Sequence, residues 1–205
     1  MNTKIIWIIL LAGAAVMMYY ALHQAPEQEE AYVARIEKQR KEKDNFMRTA
    51  PDSPFAEDSV PFQGLSYYPV NPEYLVKAKL IPAQRKPVTL PTSDGKEKNY
   101  LEFAHAEFEL LGSTHRLILY EIMESGPYRG TLFLAFGDAT SAAETYGAGR
   151  YLDVKKVRGA TSVMLDFNES YNPYCAYNDR YSCPLPPREN LLSIAIRAGE
   201  MNYGK

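Results

Sequence analysis

Between Ile5 and Leu22 the chain runs eighteen residues, IIWIILLAGAAVMMYYAL, without a charge. A helix rising about 1.5 Å per residue makes such a run about 27 Å long, close to the ~30 Å hydrocarbon core of a bilayer. Trp7 near one end, with Tyr19 and Tyr20 near the other, fits the aromatic belts of a membrane span. A cleavable signal has a shorter apolar core and a small-x-small cleavage site; Ala21 and Ala25 are wrongly spaced for one. The expected organisation is a tail at 1–4, a transmembrane helix at 5–22, a helical stalk at 23–50 and a folded domain at 51–205. Lys4 precedes the span and no Lys or Arg follows until Arg35, which favours a cytoplasmic N-terminus and an extracytoplasmic domain. Arg35, Lys38, Arg40 and Lys41 are close enough to the span to count the other way. The small residues Ala12, Gly13, Ala14 and Ala15 suit close helix approach within a membrane complex.

The stalk is expected to be helical. Pro26 suits a first turn, Glu27, Glu29 and Glu30 lie near the positive end of the helix dipole, and the basic residues come later. Tyr32, Val33 and Ile36 begin an apolar stripe that Arg40 and Lys43 interrupt, so the stalk reads as solvated, with only its last turn docked.

After Pro51 and Pro54 the pattern changes. GLSYYPV, EYLVKAKLI, KPVTL, NYLEFAHAEFELL, HRLILYEIM, GTLFLAF, TSVMLDF and NLLSIAIRA are short apolar runs, rich in β-branched and aromatic residues and bounded by turn residues. The fourth and fifth predict a hairpin with a type II′ turn at Gly112 and Ser113. Phe103 and Phe108 point to opposite faces, which predicts a bulge near His105. No long helical period follows residue 50, so the domain is expected to be mainly β, an antiparallel barrel or sandwich.

Composition narrows function mainly by exclusion. Lys+Arg is 23 and Asp+Glu is 25, a formal net charge of −2 that lacks the basic excess nucleic-acid binding requires. Two Cys and three His are poor material for a metal site, and no cofactor motif is present, so neither metal nor cofactor is expected. Tyr is abundant at 16, and four of these lie in LDFNESYNPYCAYNDRYSCPLPPREN. That stretch is too aromatic for a solvated linker, and residues 166–190 are expected to form a long loop ordered by its own side chains.

FGDATSAAETYGAGRYLDV, DFNESYNPYCAYN and YSCPLPPREN, with KDNFM, SPF and FQGLSYYP upstream, resemble the domain-of-unknown-function family numbered 1684, over roughly residues 35–200. The resemblance implies a bacterial or archaeal protein, some of whose relatives look like envelope lipoproteins. This chain departs from it with a membrane span in place of a lipobox, and with Ala142 where a Gly is common. No activity follows from the resemblance.

The candidate ligand-binding or loop-organising residues are Asp138, Thr140, Tyr146, Arg150, Asp166, Asn168, Asn172, Tyr174, Asn178 and Glu189. Arg150, after the Gly147–Gly149 turn, could clamp a carboxylate or phosphate, or pair internally with Asp166 or Glu189. The Asn and Asp residues could cap turns or hold Ca²⁺, without the regular spacing of a calcium loop. Cys175 and Cys183, with seven residues between them, fit neither a metal pair nor a CxxC motif; they are a disulfide candidate or two packed thiols. Three readings follow: a membrane-anchored module binding a glycan, peptide or protein; a structural subunit of an envelope complex; or an enzyme in which Arg150 orients an anionic substrate and Glu189 or Asp166 exchanges protons.

Overall fold

In the computed structural model, residues 3–56, 62–126 and 128–204 are described, with side chains from Gln28 onward and, before it, at Trp7 and Gly13. Helix α1 (Thr3–Thr49) runs through Pro26 without a break. Among the described residues, no helix is long and apolar enough to cross a membrane. Apart from Trp7 and Gly13, the side chains of 5–22, on which the expected span rests, lie outside the described residues, as do Met1 and Asn2 of the expected tail.

The second half of α1 is more than a solvated stalk. Ile36 and Met47 are buried. The Tyr32 hydroxyl donates to Asp166 Oδ1 at 2.8 Å, Arg35 reaches Asp166 and Glu169, and Arg40 Nη1 donates to the Tyr68 carbonyl at 2.9 Å. Lys43 Nζ donates to Glu200 at 2.7 Å. The interrupting cations thus face partners on the domain rather than water. The helix ends where Ser53 Oγ donates to the Met47 carbonyl and accepts from the Phe55 N–H.

Seven strands form one antiparallel sheet: β1 (Leu75–Pro82), β2 (Pro87–Pro91), β3 (Glu97–Leu110), β4 (Ser113–Ile122), β5 (Leu132–Phe136), β6 (Arg150–Val154) and β7 (Ser162–Asp166). The order is β6-β5-β4-β3-β1-β7, with β2 also on β3. The sheet curls into a half-barrel, and Tyr151 and Tyr171 exchange backbone hydrogen bonds of 2.8 and 2.9 Å where β6 approaches the segment after β7. The sandwich alternative fails, because a single curled sheet carries all seven strands.

The register of β3 against β4 shifts between Glu102 and Ala104, two residues from the expected bulge. One extra residue reverses which face the side chains take. Tyr100 therefore packs on one face, and Ala106, Phe108 and Leu110 on the other. The first face carries Tyr100, Ile118, Tyr120, Phe133 and Tyr151. The second buries Leu117, Leu119, Leu134, Phe136 and Leu165 against Phe167, Ile196 and Ala198.

Four sequence expectations need correction. The hairpin turn lies at Leu111 and Gly112, both with positive φ (51° and 76°), the sign pattern of a type I′ turn. GLSYYPV contributes an isolated bridge from Tyr67 to Glu200 rather than a strand. NLLSIAIRA is irregular too: its backbone groups pair with Gly137, Ala139 and the Arg150 side chain, while Ile196 still faces the core. RYLDV, absent from the expected strands, is strand β6.

Candidate functional site

The loop candidates separate into structural knots and a cleft. The first knot centres on Arg150, which is 1 % exposed. Its guanidinium donates to Asp138 Oδ2 at 2.7 Å and to the carbonyls of Ile196 (2.8 Å), Ala198 (2.5 Å) and Glu200 (3.3 Å), and lies over the Phe136 ring. Asp138 Oδ1 accepts from the Thr140 N–H and hydroxyl, and Thr140 also bonds Thr145. The partner of Arg150 is thus Asp138, rather than Asp166 or Glu189. With every face covered, this guanidinium has no opening through which to reach a substrate, so the enzyme reading loses its central residue.

A second knot ties α1 to the sheet. Asp166 accepts from Tyr32 and Arg35 and caps the turn at Phe167–Glu169. Asn168 accepts from the Asn71 N–H and donates to the Asn71 carbonyl and the Tyr32 hydroxyl. A third knot surrounds Glu200, 1 % exposed, which accepts from Lys43, from Asn172 Nδ2 at 2.9 Å and from the Tyr177 hydroxyl. Asn178 donates to the Pro54 carbonyl at 3.0 Å. Glu189 is exposed in the turn Arg188–Asn190 and joins none of these groups. Among the described residues, no three His, Cys, Asp or Glu side chains are placed to hold a metal ion.

A wide opening lies beside these knots. A cleft of about 1050 Å³ runs between α1, the first face of the sheet and the loop after β7. Tyr100, Phe133, Tyr151, Tyr171, Tyr174 and Tyr181 line it. Four of these rings form one chain: Tyr100 to Phe133 at 5.2 Å, Phe133 to Tyr151 at 5.2 Å and nearly perpendicular, then Tyr151 to Tyr171 at 5.9 Å. On the loop, Tyr174 meets Tyr181 edge-on at 5.1 Å. Such mutually tilted rings hold each other: Tyr100, Phe133 and Tyr151 are nearly buried at the cleft floor, while Tyr171, Tyr174 and Tyr181 are the more open.

Polar groups are interspersed with the rings. Arg40, Lys43, Lys98 and Lys155 supply positive charge, and Asp153 and Glu169 negative charge. Asp153 lies exposed at the rim of the cleft; the protein packed around it raises its carboxyl above the ordinary range, against the Tyr171 hydroxyl, which donates to it at 2.9 Å, and Lys43. Burial pushes the Tyr100 hydroxyl up to about 12, helped by Glu124 and Cys183, so it is a neutral donor or acceptor at ordinary pH.

Cys175 and Cys183 are free thiols rather than a disulfide, and they are adjacent. The Cys175 N–H donates to Cys183 Sγ at 3.3 Å, and the Tyr146 hydroxyl lies 3.8 Å from Cys175 Sγ. Cys183 also lines the cleft.

A family model described as "Protein of unknown function (DUF1684)" matches residues 60–201, which take in every strand and the whole loop after β7. The chain belongs to this family. A solution NMR structure of an uncharacterized protein from Haloarcula marismortui is similar at 34% identity and a TM-score of 0.64, covering 85% of this chain and 96% of that one. Among curated proteins no sequence matches. The DUF1684 match thus contains all three knots except their α1 partners, and every wall of the cleft except α1.

Sequence reasoning missed Asp153, Tyr171, Asn190 and Glu200. Asp153 was within reach: alternation along RYLDV sets Tyr151 and Asp153 on one face. Asn190, whose side chain bonds the Ile118 N–H, the Ile118 carbonyl and the Ala135 carbonyl, gives no comparable signal, because its partners are 72 and 55 residues away.

Proposed function

We propose that this DUF1684 protein is a membrane-anchored binding module whose ligand site is the tyrosine-lined cleft, carried by its domain on the extracytoplasmic side. The observation that supports it most is the unbroken chain of rings along a cleft large enough for a disaccharide or a short peptide. Ring faces accept sugar rings or apolar side chains, while Asp153, the tyrosine hydroxyls and the lysines at intervals suit hydroxyl and charged groups. Anchorage rests on the uncharged run Ile5–Leu22 and orientation on Lys4 before it. A structural role in an envelope complex is the second reading, supported by the docking of α1 on the domain and the small residues of the run.

Calorimetric titration of the full-length protein in detergent with oligosaccharides and short peptides tests the reading. At least one class is expected to bind, and Tyr174→Ala, which removes a half-buried ring of the cleft wall, is expected to weaken it by about tenfold. Binding that is indifferent to Tyr174, or stoichiometric co-purification of a protein partner with no ligand bound, counts for the structural reading instead.

A further inference from the structure

Cys175 and Cys183 sit at opposite ends of one turn of the loop after β7, and the structure brings their thiols into contact. The surroundings of the two sulfurs differ. Cys175 is partly buried, and its sulfur faces the Cys183 thiol, the Ser93 hydroxyl and the Tyr146 hydroxyl, which favour a thiolate there. Cys183 is 8 % exposed and opens toward the cleft. Its backbone is fixed on both sides by Ser93, whose Oγ accepts from the Cys183 N–H at 3.1 Å and whose N–H donates to the Cys183 carbonyl at 2.8 Å. The less buried of two sulfurs, ringed by donors beside a second, sheltered thiol, is the arrangement of an attacking and a resolving cysteine.

We infer that Cys175 and Cys183 form a redox-active dithiol that reduces disulfide-bearing molecules at the edge of the cleft, with Cys175 as nucleophile and Cys183 as resolving thiol. The Cys175 thiolate attacks one sulfur of the substrate disulfide. The substrate S–S bond breaks, one half leaves as a thiolate and takes a proton from water, and the other half stays bonded to Cys175. Cys183 then gives its proton to water and its sulfur attacks Cys175 Sγ, expelling the second half, which is protonated in turn. Two electrons pass from the dithiol to the substrate, leaving one S–S bond in the protein and two released thiols. The surroundings agree with the roles: the Cys183 thiol, then Ser93 and Tyr146, draw the Cys175 thiol down to about 6 against its burial, and the same pairing with burial pushes Cys183 up. The inference is independent of what the cleft binds.

Glutathione disulfide is the probe, with full-length wild type, Cys175→Ser and Cys183→Ser followed by intact mass. Wild type is expected to lose two hydrogens and retain no glutathione. Cys183→Ser is expected to hold one glutathione on Cys175, and Cys175→Ser to react at least about tenfold more slowly. Dithiothreitol under native conditions is expected to restore both thiols. In wild type, alkylation of Cys175 by iodoacetamide is expected to rise less than about twofold between pH 7 and 9, where a thiol with an ordinary midpoint near 8.5 gains about 25-fold. The inference is overturned if Cys175→Ser adds glutathione as fast as Cys183→Ser, if wild type stops at the adduct, or if its disulfide resists native reduction as a structural crosslink does. The wild-type alkylation profile decides the nucleophile even where a serine variant does not fold, and a 25-fold rise overturns the assignment of Cys175.

Discussion

Asp138 and Arg150 show how a charged residue becomes core. Removing a charge from water is costly, and this guanidinium is compensated by one carboxylate and three carbonyls. Asp138→Ala leaves it buried without its counter-charge. Urea unfolding is expected to show a loss of about 3–5 kcal/mol, the range for breaking a buried pair from one side. A loss below about 1 kcal/mol contradicts the knot. Gly199 carries a second residue-level constraint. Its φ is +76°, and a Cβ there would lie 2.6 Å from the Ser170 carbonyl and 2.7 Å from that of Phe167. Gly199→Ala is expected to lower the melting temperature and to loosen the knot around Glu200, with faster amide exchange at Asn172 and Met201. Unchanged melting means that the C-terminal segment is less closely seated than described.

At the scale of elements, α1 is held by apolar burial together with ion pairs. Ile36, 1 % exposed, is the anchor of its docked half. Ile36→Ala is expected to cost about 2–5 kcal/mol, and Ile36→Asp to free residues 32–48 while the sheet keeps its protection in hydrogen exchange. Simultaneous loss of sheet protection would show that α1 is part of the same cooperative unit. Six of the seven strands were legible in the sequence because alternation and turn residues are local signals, and the bulge was legible because it breaks that alternation. The sixth strand, RYLDV, hid behind the glycines before it. NLLSIAIRA misled for the converse reason: its burial alternates like a strand's, but its hydrogen-bond partners are a loop and an arginine side chain, which no periodicity reports. The same limit applies to the sites. Arg150, Asp138 and Asn172 were recognisable as candidates from residue type, but which groups they meet depends on chain segments far apart in sequence.

For the whole molecule, the tyrosines set the response to alkali. Burial pushes Tyr100, Tyr146 and Tyr68 up to about 12, and raises Tyr67, Tyr120, Tyr151 and Tyr171 further. The unfolded chain releases these protons near pH ~10, while the native protein still holds them. Their contribution is therefore complete below that pH and is lost as pH rises, by up to about 1.4 kcal/mol per unit for each fully buried hydroxyl. Tyrosinate absorbance and near-ultraviolet circular dichroism are expected to change together in one cooperative step between about pH 10 and 12. Gradual ionisation near pH ~10 with the fold intact would contradict the burial of these rings. The same rings that stabilise the half-barrel also line its cleft. The most direct test of that double role is NMR of the full-length protein, following tyrosine ring resonances as the strongest oligosaccharide or peptide binder is added. The account predicts that Tyr100, Tyr151, Tyr171, Tyr174 and Tyr181 shift together and saturate at one equivalent, while Tyr32 does not move. Shifts confined to tyrosines outside the cleft would contradict it.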